Sequence, residues 1–234
     1  MIGFSPTRMG LPARWSLAPE DVLGLVFWTR DPRALIQDVD LLKPYSLVIH
    51  MTITDWWEVE DRVPRSSESL EWLKQAVDTF GTQNVVWRFS PVPAVDDVVE
   101  RFERLVKAVY PTGLRSVYMS FLQENDQLWD PRNADEQRQV IRSMAQICPS
   151  DFEVRLCREN RVPIGGSCKL LNLRRAVCED GSRFHLPVHG PDSSLVDSCG
   201  CAISVDAFTI NEGCKFGCKY CYAVQEPLDP IEKS

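Results

Sequence analysis

Apolar positions along this chain follow two alternating periods. Short, nearly continuous apolar runs read as strands: "LGLVFWTR" (23–30), "YSLVIHMTIT" (45–54), "NVVWRFSP" (84–91), "SVYMSFLQ" (116–123) and "DFEVRLC" (151–157). The opening "IGFSP" reads as one more. Such runs of Val, Ile, Leu and Phe suit strands covered on both faces, as parallel strands are. Between them the period lengthens. "SSESLEWLKQAVDTF" (66–80) opens on serines and a glutamate and ends before Gly81. "AVDDVVERFERLVKAVY" (94–110) aligns Val98, Phe102, Leu105 and Val109 on one helical face and stops at Pro111. "NADEQRQVIRSMAQIC" (133–148) starts acidic and ends before Pro149. Repeated β–α units of this kind predict a parallel sheet or barrel.

Each strand ends in a polar or proline-bearing cluster: "FSPTR", "WTRDP", "TITDWW", "RFSPVP", "FLQEN" and "CRENR". In parallel α/β folds these C-terminal strand ends gather at one mouth, where ligands bind. From residue 158 the pattern dissolves into Gly, Pro and charge, and residues 158–200 read as an irregular segment. "CAISVDAF" (201–208) then reads as a last strand. The chain shows no internal repeat and no low-complexity tract.

The 234 residues are 44% hydrophobic and 25% charged, an ordinary folded composition. A net charge of -7 excludes a basic, polyanion-binding protein as a whole. The local strip of Arg101, Arg104 and Lys107 reads as the solvated face of a helix. No stretch approaches the ~20 apolar residues of a membrane span. The N-terminus lacks the layout of a signal peptide. The expectation is a cytoplasmic protein with no membrane partner.

Nine cysteines, none before Cys148, change the picture. In a chain without an export signal, such clustering points to metal or redox chemistry rather than to disulfides. "NEGCKFGCKYCYA" (211–223) sets Cys214, Cys218 and Cys221 in a C-x3-C-x2-C array directly after the last predicted strand. Structural zinc is closed by four protein ligands, so three thiolates fall one short. A [4Fe–4S] cubane held by three thiolates keeps one iron open to another ligand. The competing reading is a zinc knuckle completed by a distant ligand such as His185 or His189. Spacing disfavours it, since zinc pairs use C-x2-C alone.

"CKFGCKYC" resembles the C-x3-C-x-Φ-C signature of the radical S-adenosylmethionine (SAM) superfamily, with Tyr220 as the aromatic Φ. "GFSPTRMGLPA", "VFWTRDP", "TITDW", "VVWRFSPV" and "GCKYCYA" resemble the DUF1848 family, and together they span nearly the whole chain. Only Arg8 stands where that family's pattern has two arginines. The resemblance implies that Cys214, Cys218 and Cys221 hold a [4Fe–4S] cluster whose open iron takes SAM, and that Tyr220 packs by the adenine. It implies reductive cleavage of SAM to a 5′-deoxyadenosyl radical, hydrogen abstraction from a substrate, and an electron donor such as flavodoxin or ferredoxin.

The fold so implied is a partial (β/α) barrel of α/β class. It is circularly permuted, because the cluster loop follows the last strand rather than the first. Residues 1–157 would form the barrel core, 158–200 an irregular cysteine-containing segment with an auxiliary metal site, and 201–234 the last strand and cluster loop. The family is distantly similar to spore photoproduct lyase, which implies a modified, thymine-derived nucleobase in DNA as substrate, with rearrangement or bond cleavage. With an acidic chain, contact with DNA would need a local positive groove.

The resemblance includes a C…G-x-C…C-x-C pattern on which Cys157, Cys168, Cys199 and Cys201 fall. These four could hold a second [4Fe–4S] cluster or a zinc ion, with a structural role as the alternative. Cys148 reads as a small buried apolar residue and Cys178 as a substitute ligand. Arg88, at the end of an apolar strand, suits the carboxylate of SAM or an anionic substrate, or else a salt bridge at the mouth. Arg8, Arg30, Glu124 and Glu159 are candidates of the same kind. Trp56 and Trp57 could stack on a flat ring or cover the core edge. His50 reads as a core residue. No dinucleotide fingerprint, P-loop, zincin motif or serine-nucleophile elbow is present. Two other functions fit the same cysteines: a zinc-binding protein or nucleic-acid interaction module, and an iron–sulfur electron carrier.

Overall fold

Eight parallel strands form one sheet in the computed structural model. It describes residues 2–4, 18–122, 130–157, 173–176, 205–206 and 215–221. The strands are β1 (Ile2–Phe4), β2 (Leu25–Thr29), β3 (Leu47–Thr52), β4 (Val85–Phe89), β5 (Ser116–Met119), β6 (Glu153–Leu156), β7 (Leu173–Arg175) and β8 (Val205–Asp206). Their order across the sheet is β7-β6-β5-β4-β3-β2-β1-β8. The strand leading toward the cysteine loop therefore lies beside the first one, with Val205 opposite Ile2. Among the described residues β7 and β8 are the two edges, so the sheet is an open, barrel-like α/β layer rather than a closed barrel.

Among the described residues five α-helices accompany it: α1 (Arg33–Gln37), α2 (Val39–Leu42), α3 (Ser66–Phe80), α4 (Val98–Val109) and α5 (Ala134–Ile147). The three longer ones coincide closely with the 3.6-residue pattern. The Asn133 side chain accepts from the Asp135 and Glu136 backbone N–H groups, and the Glu136 carboxylate accepts from the Asn133 N–H, a complete capping box. Gly81 ends α3 at φ 84°, a conformation that favours glycine. The short α1 and α2 are not legible as helices in sequence, because one turn is too short to display a period. The segment expected to be irregular also differs at one place: it supplies β7, paired in parallel with β6.

Strand alternation divides the buried side chains between two faces. One set packs under the helices: Met51, Val85, Trp87, Phe89, Val117, Met119 and Val154 meet Trp72, Leu73, Phe102, Leu105, Ile141 and Met144. Trp87 stacks on Phe102 at 5.6 Å between ring centroids and donates its indole N–H to the Ile53 carbonyl at 3.1 Å. The intervening set, Val26, Val48, Val86, Tyr118, Cys157 and Ala176, forms a separate cluster, built among the described residues by strands and strand ends. His50 belongs to this face, fully buried and stacked on Trp28, as a core residue should be.

Among the described residues no helix is long and apolar enough to cross a membrane. Phe102→Ala removes a ring with no exposure from the larger cluster. It should lower unfolding stability by about 3–5 kcal/mol, read from the midpoint shift in a urea titration at unchanged slope.

Candidate functional site

Parallel strands deliver their C-terminal ends to one side, and the segments leaving two of those ends, β2 and β3, meet the cysteine loop. β2 ends at Thr29, and the next residue is Arg30. β3 is prolonged by Ile53, whose N–H donates to the Arg88 carbonyl at 3.0 Å, and then turns through Asp55 at a positive φ of 55°. The turn carries Thr54, Trp56 and Glu60 to the same place.

Glu60 is the centre. Its side chain is 2% exposed and pairs with the nearly buried Arg30, the contacts being 2.5 and 3.2 Å. The Thr54 hydroxyl donates to both carboxylate oxygens, at 2.6 and 2.7 Å. The Tyr220 hydroxyl donates to the same carboxylate and accepts from Arg30. The Tyr220 ring stacks on Trp56 at 5.6 Å and 16°. Burial opposes the Arg30 charge, but Glu60, Tyr220 and Cys218 together hold its pKa above the ordinary value. Burial, with the Glu60 carboxylate adding to it, pushes the Tyr220 phenol well up, so the hydroxyl keeps its proton and can donate it.

Three further contacts tie the loop down. The Lys219 N–H donates to the Val59 carbonyl at 3.1 Å. Lys215 pairs with Asp31 at 2.8 Å, and Asp31 also holds Arg33. Gly217 has φ 55°, with the Arg62 side chain 3.6 Å from where a Cβ would stand. The Cys221 N–H donates to the Cys218 carbonyl at 2.9 Å, placing both cysteines on one tight turn. Cys218 is buried and Cys221 half-buried. Burial raises the Cys218 thiol to about 11, against the opposing pull of Arg30.

A thiolate at Cys218 thus needs added positive charge, which Arg30 provides in part and a bound metal group would complete. The soft donor pair of Cys218 and Cys221 on one turn suits a thiophilic metal group such as iron–sulfur. Cys214 lies outside the described residues. Among those described, no three His, Cys, Asp or Glu side chains converge as a metal site.

A cavity of about 240 Å³ opens beside this node, walled by Arg30, Thr54, Asp55, Trp57 and Glu60 and by Ser66 and Ser69 of α3. Arg101 holds its outer wall. It is 5% exposed, donates to Glu58 at 2.5 and 2.9 Å and to Asp97 at 2.8 Å, and also reaches the Asp55 carbonyl. The expectation of a solvated basic strip is therefore corrected for Arg101, which is a buried brace between α4 and the β3 loop. Arg104 and Lys107 are exposed, as expected, and pair with Asp55 and Glu103.

Other expected site residues belong to other elements or lie outside the described residues. Arg88 lies on the face of β4 away from the helices, in register with Thr52 and Tyr118. Cys157 follows β6 on that same face, buried among Val26, Val48, Val86 and Tyr118. Cys148 ends α5, donates to the Met144 carbonyl at 3.2 Å and is raised to about 12 by burial, which fits an inert packing residue. Arg8, Glu124, Glu159, Cys168, Cys178, Cys199 and Cys201 lie outside the described residues. Trp57 is exposed, whereas Trp56 has the stacking role, on Tyr220. Sequence reading missed Glu60 and Thr54. "TDWWEVED" offers four acidic residues past a strand end, and no local signal separates Glu60 from Asp55, Glu58 or Asp61.

The fold defines an open parallel α/β sheet with a cysteine loop at its C-terminal mouth. Comparison with protein families matches residues 4–223 to DUF1848, "Domain of unknown function". The chain belongs to the DUF1848 family. No curated protein matches it. Similar solved structures include a proposed phosphonomutase from Burkholderia cenocepacia J2315 (10% identity, TM-score 0.40, 65% of this chain and 62% of that one). A xylose isomerase domain protein from Planctomyces limnophilus matches at 15% identity and TM-score 0.38, over 68% of this chain and 63% of that one. An O-GlcNAc hydrolase from Thermobaculum terrenum matches at 13% and 0.36, over 79% and 54%. The chain thus spans less than two thirds of each of these proteins, and likenesses of this size carry no argument about its chemistry.

Glu60→Ala would leave Arg30 buried without its carboxylate and should destabilise the protein by about 3–5 kcal/mol. Tyr220→Phe keeps that pair and should cost about 1 kcal/mol. Denaturant titration of both variants checks the order; equal losses would contradict the assignment of Glu60 as the centre.

Proposed function

We propose that this chain is a radical SAM enzyme in which Cys214, Cys218 and Cys221 hold a [4Fe–4S] cluster open to SAM at one iron. The observation that carries the reading is the docking of the cysteine turn through Tyr220 onto Arg30 and Glu60, at the C-terminal ends of β2 and β3. When bound, the cluster would supply the electron that cleaves SAM into methionine and a 5′-deoxyadenosyl radical able to abstract hydrogen from a substrate. The chain's own part is positioning. Glu60 and Trp56 fix Tyr220, one residue before Cys221. Arg30 sets positive charge beside Cys218, and Lys219 is tied to the β3 loop.

The pairing of β8 with β1 supports a permuted arrangement, in which the loop after the last strand reaches the mouth that the loop after the first strand would otherwise occupy. A modified, thymine-derived nucleobase is the substrate class we infer, from the distant similarity to spore photoproduct lyase alone. An electron donor of the flavodoxin or ferredoxin kind would complete the cycle. Cys157, with Cys168, Cys199 and Cys201, would hold a second cluster or a zinc ion.

Anaerobic purification tests this. The expected protein is brown, contains iron and sulfide, and releases 5′-deoxyadenosine from SAM after reduction. Cys218→Ala should abolish that release and lower the iron content, while Cys157→Ala should lower metal content without abolishing the remaining iron. Zinc in place of iron would overturn the enzyme reading. Iron with no 5′-deoxyadenosine under strong reduction would leave an electron carrier instead.

A further inference from the structure

The face of the sheet away from the helices carries a row of charge set by strand register. Strand register aligns four residues across neighbouring strands: Arg88 on β4, Tyr118 on β5, Arg155 on β6 and Arg174 on β7. Alternation puts all four on the same face as Val86, Cys157 and Ala176. Neighbouring strands lie about 4.8 Å apart, so Arg155 and Arg174 start from directly opposed backbone positions. Like charges opposite each other destabilise a sheet, and packing alone gives no reason to put two guanidiniums there.

Among the described residues one carboxylate lies against both. Glu153 Oε2 accepts from Arg155 at 2.7 and 2.9 Å, while its Oε1 lies 3.9 Å from Arg174 Nε. Arg155 also donates to the Tyr118 hydroxyl at 3.0 Å, which holds its fork against the sheet. Arg174 is half-exposed and donates to its neighbouring Leu173 carbonyl. Cys157 and Ala176 occupy the next positions toward the mouth.

We propose that Arg155 and Arg174, flanked by Arg88, form an oxyanion-binding row on the strand-lined face, which grips a phosphate or carboxylate group of the substrate. Guanidinium forks take such groups through paired N–H bonds, and three forks on one face match a polyoxygen anion better than a lone charge does. Glu153 then acts as an internal competitor, occupying the Arg155 fork beside Arg174 until a stronger anion displaces it. Assigning the anion to the substrate rests on the radical reading above; the binding row itself does not.

Calorimetric titration of the full chain at low ionic strength tests the row, with inorganic phosphate and succinate as separate probes. At least one probe should bind, and which one does assigns phosphate or carboxylate. Arg155→Gln and Arg174→Gln should each weaken binding about tenfold, the loss of one charge-assisted hydrogen bond. Glu153→Gln removes the competitor and should tighten binding about fivefold, an effect that a merely structural residue would not produce. Arg138→Gln on α5 removes the same charge elsewhere and should leave affinity unchanged. Circular dichroism melts confirm folding of each variant, and Glu153→Gln remains decisive should an arginine variant fail to fold.

The proposal is overturned if neither probe binds the wild-type chain, if Arg138→Gln weakens binding as much as Arg155→Gln, or if Glu153→Gln fails to tighten it. The titration needs neither SAM nor a reductant. Its failure would leave the 5′-deoxyadenosine assay standing, and failure of that assay would leave the row standing.

Discussion

A single buried carboxylate holds the mouth of this protein together. Glu60 lies where desolvation strongly penalises charge, and it stays compatible with the fold because Arg30, Thr54 and Tyr220 all donate to it. Those donors come from three separate parts of the chain: the end of β2, the extension of β3 and the cysteine loop. Removing the charge of either ion partner would leave the other stranded in a low-dielectric site. The node therefore couples the position of the cysteine turn to the integrity of the sheet ends, and the stacking of Tyr220 on Trp56 adds an apolar contact to the same coupling.

The sheet gives its two faces different work. Under the helices it builds a large apolar core in which Trp87, Phe89, Phe102 and Phe152 pack ring against ring. On the opposite face the strands supply a smaller cluster and, beside it, the arginine row with Tyr118 and Glu153. Parallel pairing throughout makes this division possible, since every strand ends on the same side and consecutive side chains alternate between core and the opposite face. Chemistry-bearing groups thereby collect in two neighbouring zones, the cysteine node at the ends of β2 and β3 and the charged row across β4 to β7.

The placement of β8 beside β1 gives the cysteine loop its reach. The described turn of that loop, residues 215–221, meets the ends of β2 and β3 and is secured there by Lys215, Lys219 and Tyr220. The β3 loop in turn is braced from behind by the buried Arg101 of α4, which pairs with Glu58 and Asp97. Three side chains of the neighbouring cavity's wall, Arg30, Thr54 and Glu60, are thus committed to one another.

Periodicity, caps and the cysteine spacing are local properties, and the sequence by itself determined them: the strands β2 to β6, the helices α3 to α5, the strand-end mouth and the C-x3-C-x2-C array. Tertiary structure alone decided the rest. Glu60 rather than Glu58 or Asp61 became the buried partner of Arg30, Arg101 turned out to be a brace rather than a solvated cation, and Leu173–Arg175 joined the sheet from a stretch with no visible period. The alignment of Arg155 with Arg174 is of the same kind. Ion-pair choice and cross-strand register depend on which distant segments meet, and no window of neighbouring residues encodes that meeting.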